Sequence, residues 1–149
     1  MNQKIIVNNA EETILLAKKL GSGLTPGSIL TLEGELAAGK TTFAKGLALG
    51  LGIKEIIDSP TFAIVKEYDT GRLPLFHMDV YRLDGDSDIE FILEYFDRDG
   101  ICVIEWASVI KADLPHNRID VKILRLEENK REITIIDQGG LLKNANLSH

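Results

Sequence analysis

One cysteine in 149 residues leaves no partner for a disulfide within the chain. Cys102 lies in the apolar run Ile101-Cys102-Val103-Ile104 and reads as a small buried core residue, which suits a reducing compartment. Long apolar runs are also missing. None approaches the roughly 20 residues of a membrane span, and the start MNQKIIVNN lacks the apolar core of a signal peptide. A cytoplasmic location with no membrane partner is therefore expected. Positive charge is scarce: the net charge is −6 and neither Lys nor Arg gathers into a run. The footprint of a nucleic-acid-binding surface is absent, so any link to RNA passes indirectly through a partner. There are no internal repeats and no linker. At 44% hydrophobic, the chain is expected to form one domain burying roughly two thirds of its unfolded surface.

What is present is a phosphate-loop pattern. Gly34-Glu35-Leu36-Ala37-Ala38-Gly39-Lys40-Thr41 matches Gly, four residues, Gly-Lys-Thr. Small residues let consecutive backbone N–H groups curl round an anion, and the following helix points its positive N-terminus at the same place. Lys40 is then expected to reach the β- and γ-phosphates from an exposed loop, and the Thr41 hydroxyl to take one position on Mg²⁺. The context fits, because such a loop leaves a strand and enters a helix. Ser28 to Glu33 is a short run rich in strand formers, and Phe43, Leu47 and Leu51 repeat at helical spacing before Gly52.

Elsewhere, Lys4-Ile5-Ile6-Val7 reads as an edge strand. Asn9 reads as the N-cap of a helix to about Leu20, with Glu12 at its third position and Ile14, Leu15, Ala17, Lys18 and Leu20 as its stripe. Phe62 to Tyr68 and Leu75 to Asp79 read as a hairpin, so the sheet is not purely parallel. Ser87-Asp88-Ile89-Glu90 reads as a capping box opening a helix to about Phe96. Ile101 to Glu105 is the strongest buried-strand signal. After an irregular stretch closed by Pro115, Arg118 to Leu126 and Arg131 to Asp137 pair through a turn at Glu127 to Lys130, and the tail from Gln138 is expected to fray. The predicted fold is a single α/β, P-loop NTPase-like three-layer domain over residues 1–137, with a mixed, mostly parallel sheet and antiparallel hairpins.

A nucleotide hydrolase also needs a carboxylate at the end of a neighbouring buried strand, since Mg²⁺ takes oxygen ligands. Two positions qualify, Glu105 after ICVI and Asp79 after LFHM. Thr61, behind Ser59-Pro60, reads either as a switch-like γ-phosphate sensor or as part of a proline turn. His77 reads as a core histidine. Trp106, the sole tryptophan, adjoins Glu105. Arg82 and Arg131 are candidate phosphate or carboxylate partners. Asn129-Lys130-Arg131-Glu132 nearly spells a guanine-reading motif, but its last acid is Glu and a hairpin turn explains it better, so adenine is favoured.

GELAAGKTTF, SPTF, HMDVYRL and ICVIEW stand in a fixed order that closely resembles the TsaE family, the small P-loop ATPases of bacterial tRNA threonylcarbamoyladenosine biosynthesis. The resemblance runs from about Glu12 to Glu132. It implies an ATPase, using ATP/ADP and Mg²⁺, that assists TsaB and TsaD in placing threonylcarbamoyl on the adenosine beside the anticodon of ANN-decoding tRNAs. By resemblance, Glu35, Leu36, Ala37, Ala38, Gly39, Lys40, Thr41 and Thr42 cradle the nucleotide, with Thr13 and Arg131 as more distant contacts. Thr41 and Glu105 match the metal ligands, and Lys40, Asp79, Trp106 and Thr61 match active-site positions. Members usually carry glycine where this chain has Ala37, and a positive φ there would cost roughly 1 kcal/mol. A small-molecule kinase is the rival reading, but it needs an acceptor pocket and usually an arginine-bearing lid, and the segment after the loop reads as a hairpin. A nucleotide-binding regulator that barely hydrolyses is a third.

Overall fold

The strand that feeds the phosphate loop is the centre of the molecule. Ile29, Leu30, Thr31 and Leu32 are all buried, as an apolar strand covered on both faces requires. The computed structural model of the chain describes residues 2–35, 38–58, 64–81, 83 and 86–140. In chain order the elements are β1 (Asn2–Val7), α1 (Ala10–Ser22), β2 (Ile29–Gly34), α2 (Lys40–Gly50), β3 (Val65–Tyr68) and β4 (Leu75–Asp79). Then come α3 (Asp86–Phe96), β5 (Ile101–Glu105), a 3₁₀ segment (Ala107–Asp113), β6 (Arg118–Arg125) and β7 (Arg131–Gln138).

Among the described residues these strands form one seven-stranded sheet in the order β1-β7-β6-β2-β5-β4-β3. The central ladders β6-β2, β2-β5 and β5-β4 are parallel. The outer ladders β1-β7, β7-β6 and β4-β3 are antiparallel, so only β7 and β3 run against the rest. Helices cover both faces. Leu30 and Leu32 pack with Leu16, Leu20, Phe43 and Leu47 of α1 and α2. Ile29, Met78 and Ile104 pack on the other side with Ile92 and Tyr95 of α3 and with Ile110. This is the expected three-layer α/β architecture. The two helices on the first face lie so close that a Cβ at Gly46 would stand 2.6 Å from the Ile14 carbonyl oxygen, which no side chain tolerates.

Local expectations needed adjustment in four places. Asn9 does cap α1, its Oδ1 accepting from Glu12 N–H at 2.8 Å, and the Glu12 carboxylate accepts from Asn8 N–H at 2.8 Å. The buried stripe of α1, however, is Thr13, Leu16, Ala17 and Leu20, while Leu15 and Lys18 are exposed. Two adjacent leucines make the phase ambiguous, and packing against α2 selects Leu16. The helix α3 begins at Asp86, so Ser87 lies within its first turn and is not the cap. The stretch before Pro115 is a 3₁₀ segment, and β7 includes Gln138, whose amide donates to Asp120 at 2.6 Å. Residues 141–149 of the tail lie outside the described residues. Among the described residues no helix is long and apolar enough to cross a membrane.

Candidate functional site

The phosphate loop begins where β2 ends and closes on α2. Gly39, the N-cap of α2, has φ 109° and ψ 21°, a left-handed conformation that a residue with a Cβ adopts only at a cost. Ala38 is buried and its N–H donates to the Glu35 carbonyl oxygen at 3.0 Å, which folds the loop back towards β2. Glu35 itself is exposed. No side chain caps α2, so its first amides have no side-chain acceptor, and Lys40 adds a cation at the same end. Thr41 and Thr42 follow within the first turn. Leu36 and Ala37 lie outside the described residues.

Strand register builds the next part. In the parallel ladders Leu32 pairs with Glu105, and Asp79 pairs with Glu105, so the C-terminal ends of β2, β5 and β4 form one row beside the loop. In open α/β sheets ligands bind at that end. Glu105 is only 4% exposed, and its Oε1 lies 3.7 Å from Lys40 Nζ. The expected exposed position of Lys40 is thereby corrected: its side chain is 11% exposed and ion-paired across the site. His77 lies behind the carboxylate, fully buried, with Nε2 2.7 Å from Glu105 Oε2. Asp79 is half-buried and its Oδ1 accepts from Tyr81 N–H at 3.0 Å, a local turn that fixes the carboxylate at the rim.

Trp106 follows Glu105 in a left-handed conformation, φ 61° and ψ 33°. For a residue with a side chain this costs about 1–2 kcal/mol, and such strain concentrates where a site needs a particular direction of side chain. Here it brings the indole within 4.7 Å of Lys40 Nζ and 4.9 Å of the Tyr81 ring. Lys40 is thus held by a carboxylate on one side and an aromatic face on the other.

No group of three or more His, Cys, Asp or Glu capable of holding a metal occurs among the described residues. The oxygens that are present, the Glu105 carboxylate and the hydroxyl of Thr41, suit a hard cation that takes one or two protein ligands and completes its shell with phosphate oxygens and water, as Mg²⁺ does. The donor set therefore fits a metal brought with a nucleotide.

Beside the loop is a cavity of about 80 Å³. Thr13, Ala38, Gly39, Thr42 and Arg131 line it, so five of the positions expected to contact nucleotide converge there. Asn9, Ala10 and Asn129 complete the wall and were not anticipated. Asn129 belongs to the turn between β6 and β7, and only the sheet order, which puts β6 next to β2, brings that turn to the loop. Arg131 contributes structure as well as charge. Its Nε donates to the Ala38 carbonyl at 2.9 Å, and Nη1 donates to the carbonyls of Glu127, Glu128 and Lys130, tying the loop to the turn. Cys102 is buried as expected, and burial pushes its thiol up to about 12. Thr61 with Ser59 to Phe62, and Arg82, lie outside the described residues.

The family model described as threonylcarbamoyl adenosine biosynthesis protein TsaE matches residues 7–133. The tRNA threonylcarbamoyladenosine biosynthesis protein TsaE of Bacillus subtilis is 50% identical over 131 residues, covering 88% of this chain and 83% of that protein. The protein of the same name from Treponema pallidum is 43% identical over 134 residues, 89% of this chain and 98% of its own. A crystal structure of Bacillus subtilis YdiB superposes with a TM-score of 0.83 at 45% identity, covering 96% of this chain and 90% of that one. With a family match across almost the whole folded unit and relatives at this level of identity, the chain belongs to the TsaE family.

Proposed function

We propose that this chain is the ATP-binding and ATP-hydrolysing accessory subunit for threonylcarbamoylation of the adenosine next to the anticodon in ANN-decoding tRNAs, acting in the cytoplasm on a complex of TsaB and TsaD. The observation that carries the nucleotide part is the meeting of an uncapped α2 N-terminus, Lys40 and the nearly buried Glu105 at the end of one parallel row. The names of the relatives carry the tRNA part.

In this reading the amides of α2 and the Lys40 ammonium bind the phosphates, and the cavity beside Thr13 and Arg131 takes the nucleoside end. Thr41 and Glu105 would hold Mg²⁺, which supplies charge neutralisation on the phosphate oxygens when bound. Asp79 stands next to Glu105 in register, half-buried at the rim of the site. Trp106 and Tyr81 wall the same side, at 38% and 61% exposure, and a docked partner would cover them.

The site has no arginine in finger position among the described residues: Arg131 is engaged with carbonyl oxygens, and Arg72 and Arg118 hydrogen-bond elsewhere. An arginine supplied in trans is worth roughly 10³–10⁵ in rate, so slow hydrolysis alone and faster hydrolysis with partners is the expected pattern. The chain carries −6, which leaves contact with tRNA to TsaB and TsaD. Steady-state phosphate release from ATP, measured for the chain alone and then with TsaB and TsaD, is the test. Brisk turnover alone, unchanged by partners, would point instead to a self-sufficient ATPase or kinase.

A further inference from the structure

Glu105 is held at both of its oxygens, and the two holders differ in kind. Leu75, His77 and Asp79 alternate on the α2 side of β4, as Ile101, Val103 and Glu105 do on β5, so His77 and Glu105 share a face with one step of register between them. His77 is fully buried in the middle of its strand and has no room to turn away. Its Nε2 lies 2.7 Å from Glu105 Oε2, and an ionised carboxylate only accepts, so Nε2 is the donor. The other imidazole nitrogen, Nδ1, has no hydrogen-bond partner among the described residues, and among them the ring makes its side-chain hydrogen bond to Glu105.

Lys40 holds Oε1 at the longer distance of 3.7 Å from the mobile end of a four-carbon stem. Phosphates arriving at the loop attract that ammonium, and Oε1 then loses its partner while Oε2 keeps its own. We propose that His77 is a positioning residue: its hydrogen bond to Oε2 fixes the Glu105 carboxylate so that Oε1 is presented towards the metal of a metal–nucleotide complex once Lys40 has moved to the phosphates. The inference rests on the nucleotide reading above. A ligating carboxylate left without its outer hydrogen bond can rotate away, and loss of such support typically costs 10–100-fold in metal affinity.

A merely structural histidine and a positioning one differ in what they do to metal-dependent binding. Three variants separate them. The side-chain amide nitrogen of His77→Gln reaches about as far as Nε2, that of His77→Asn is one bond short, and His77→Phe has no donor. Each is titrated with ADP by calorimetry, once with Mg²⁺ and once with EDTA, alongside thermal melts. The gain in ADP affinity that Mg²⁺ confers on the wild type is expected to be retained in His77→Gln and to fall about 10-fold or more in His77→Asn and His77→Phe. Affinity in EDTA is expected to stay within about twofold throughout, and adding His77→Asn to Glu105→Gln to change the Mg²⁺ gain no further. Should His77→Phe fail to fold, the contrast between the two amides still decides the matter. Equal Mg²⁺ gains in His77→Asn and wild type would overturn the proposal, as would equal losses with and without the metal. A folded wild-type chain that binds no ADP at all would overturn the nucleotide reading itself.

Discussion

Replacing Gly39 by alanine isolates the backbone geometry of the phosphate loop. A Cβ at Gly39 meets no atom of the described residues within 4 Å, so among them the substitution carries no clash and its cost is the left-handed conformation. At φ 109° that cost is about 1–2 kcal/mol. If the loop keeps its shape, the whole cost falls on stability, lowering the melting temperature of a domain this size by about 2–8 °C. If the free loop relaxes instead, the cost reappears when ADP forces it back, as a loss of affinity of about 5–30-fold. The two losses are complementary and together amount to the strain. Gly27→Ala supplies the control: φ is 85°, its Cβ also meets no atom of the described residues within 4 Å, and it lies in the turn before β2, away from the loop. It is expected to lower the melting temperature similarly and leave ADP binding unchanged. Thermal melts and calorimetric titration of the two variants check this. Unchanged melting and unchanged ADP affinity in Gly39→Ala would refute the left-handed cap and the reasoning built on it.

Two further outcomes follow from the same geometry. Binding of Mg²⁺ with ADP draws Lys40 off the Trp106 ring, now 4.7 Å away, so the fluorescence of this sole tryptophan is expected to change on titration; a flat signal beside a calorimetric response would contradict that placement. Cys102 is raised to about 12 from 9 by burial, so the folded chain holds the thiol proton that the unfolded chain releases above pH 9. The stability this contributes is intact below pH 9 and is lost between 9 and about 12. A denaturation midpoint that falls over that range in the wild type and less steeply in Cys102→Ala is expected; identical slopes would contradict the burial.

Period and punctuation carried most of the fold in the sequence. Leu30 and Leu32 on β2, the ICVI run of β5 and the turn at Glu127 to Lys130 were all readable, because strands buried on both faces are continuously apolar and hairpins need polar corners. The phase of α1 was not, since Leu15 and Leu16 are chemically alike and only packing on α2 distinguishes them. The place of the loop between β2 and α2, and of Asp79 and Glu105 at the ends of β4 and β5, was legible from local motifs. His77 and Asn129 were not legible as parts of the site, because their roles come from neighbours far along the chain: Glu105 is 28 residues from His77, and Arg131 reaches across 93 residues to the Ala38 carbonyl.

The most direct test of the nucleotide site is calorimetric titration of the folded wild-type chain and of Lys40→Ala with ADP and Mg²⁺. Lys40 lies between Glu105 and Trp106 at the N-terminal end of α2, where the proposed phosphate would take it from Glu105. The wild type is expected to bind, and Lys40→Ala, still folded by circular dichroism, to bind about 10–100-fold more weakly, the worth of one charge-assisted hydrogen bond. A folded Lys40→Ala chain that binds ADP as tightly as the wild type would contradict a phosphate site at this loop.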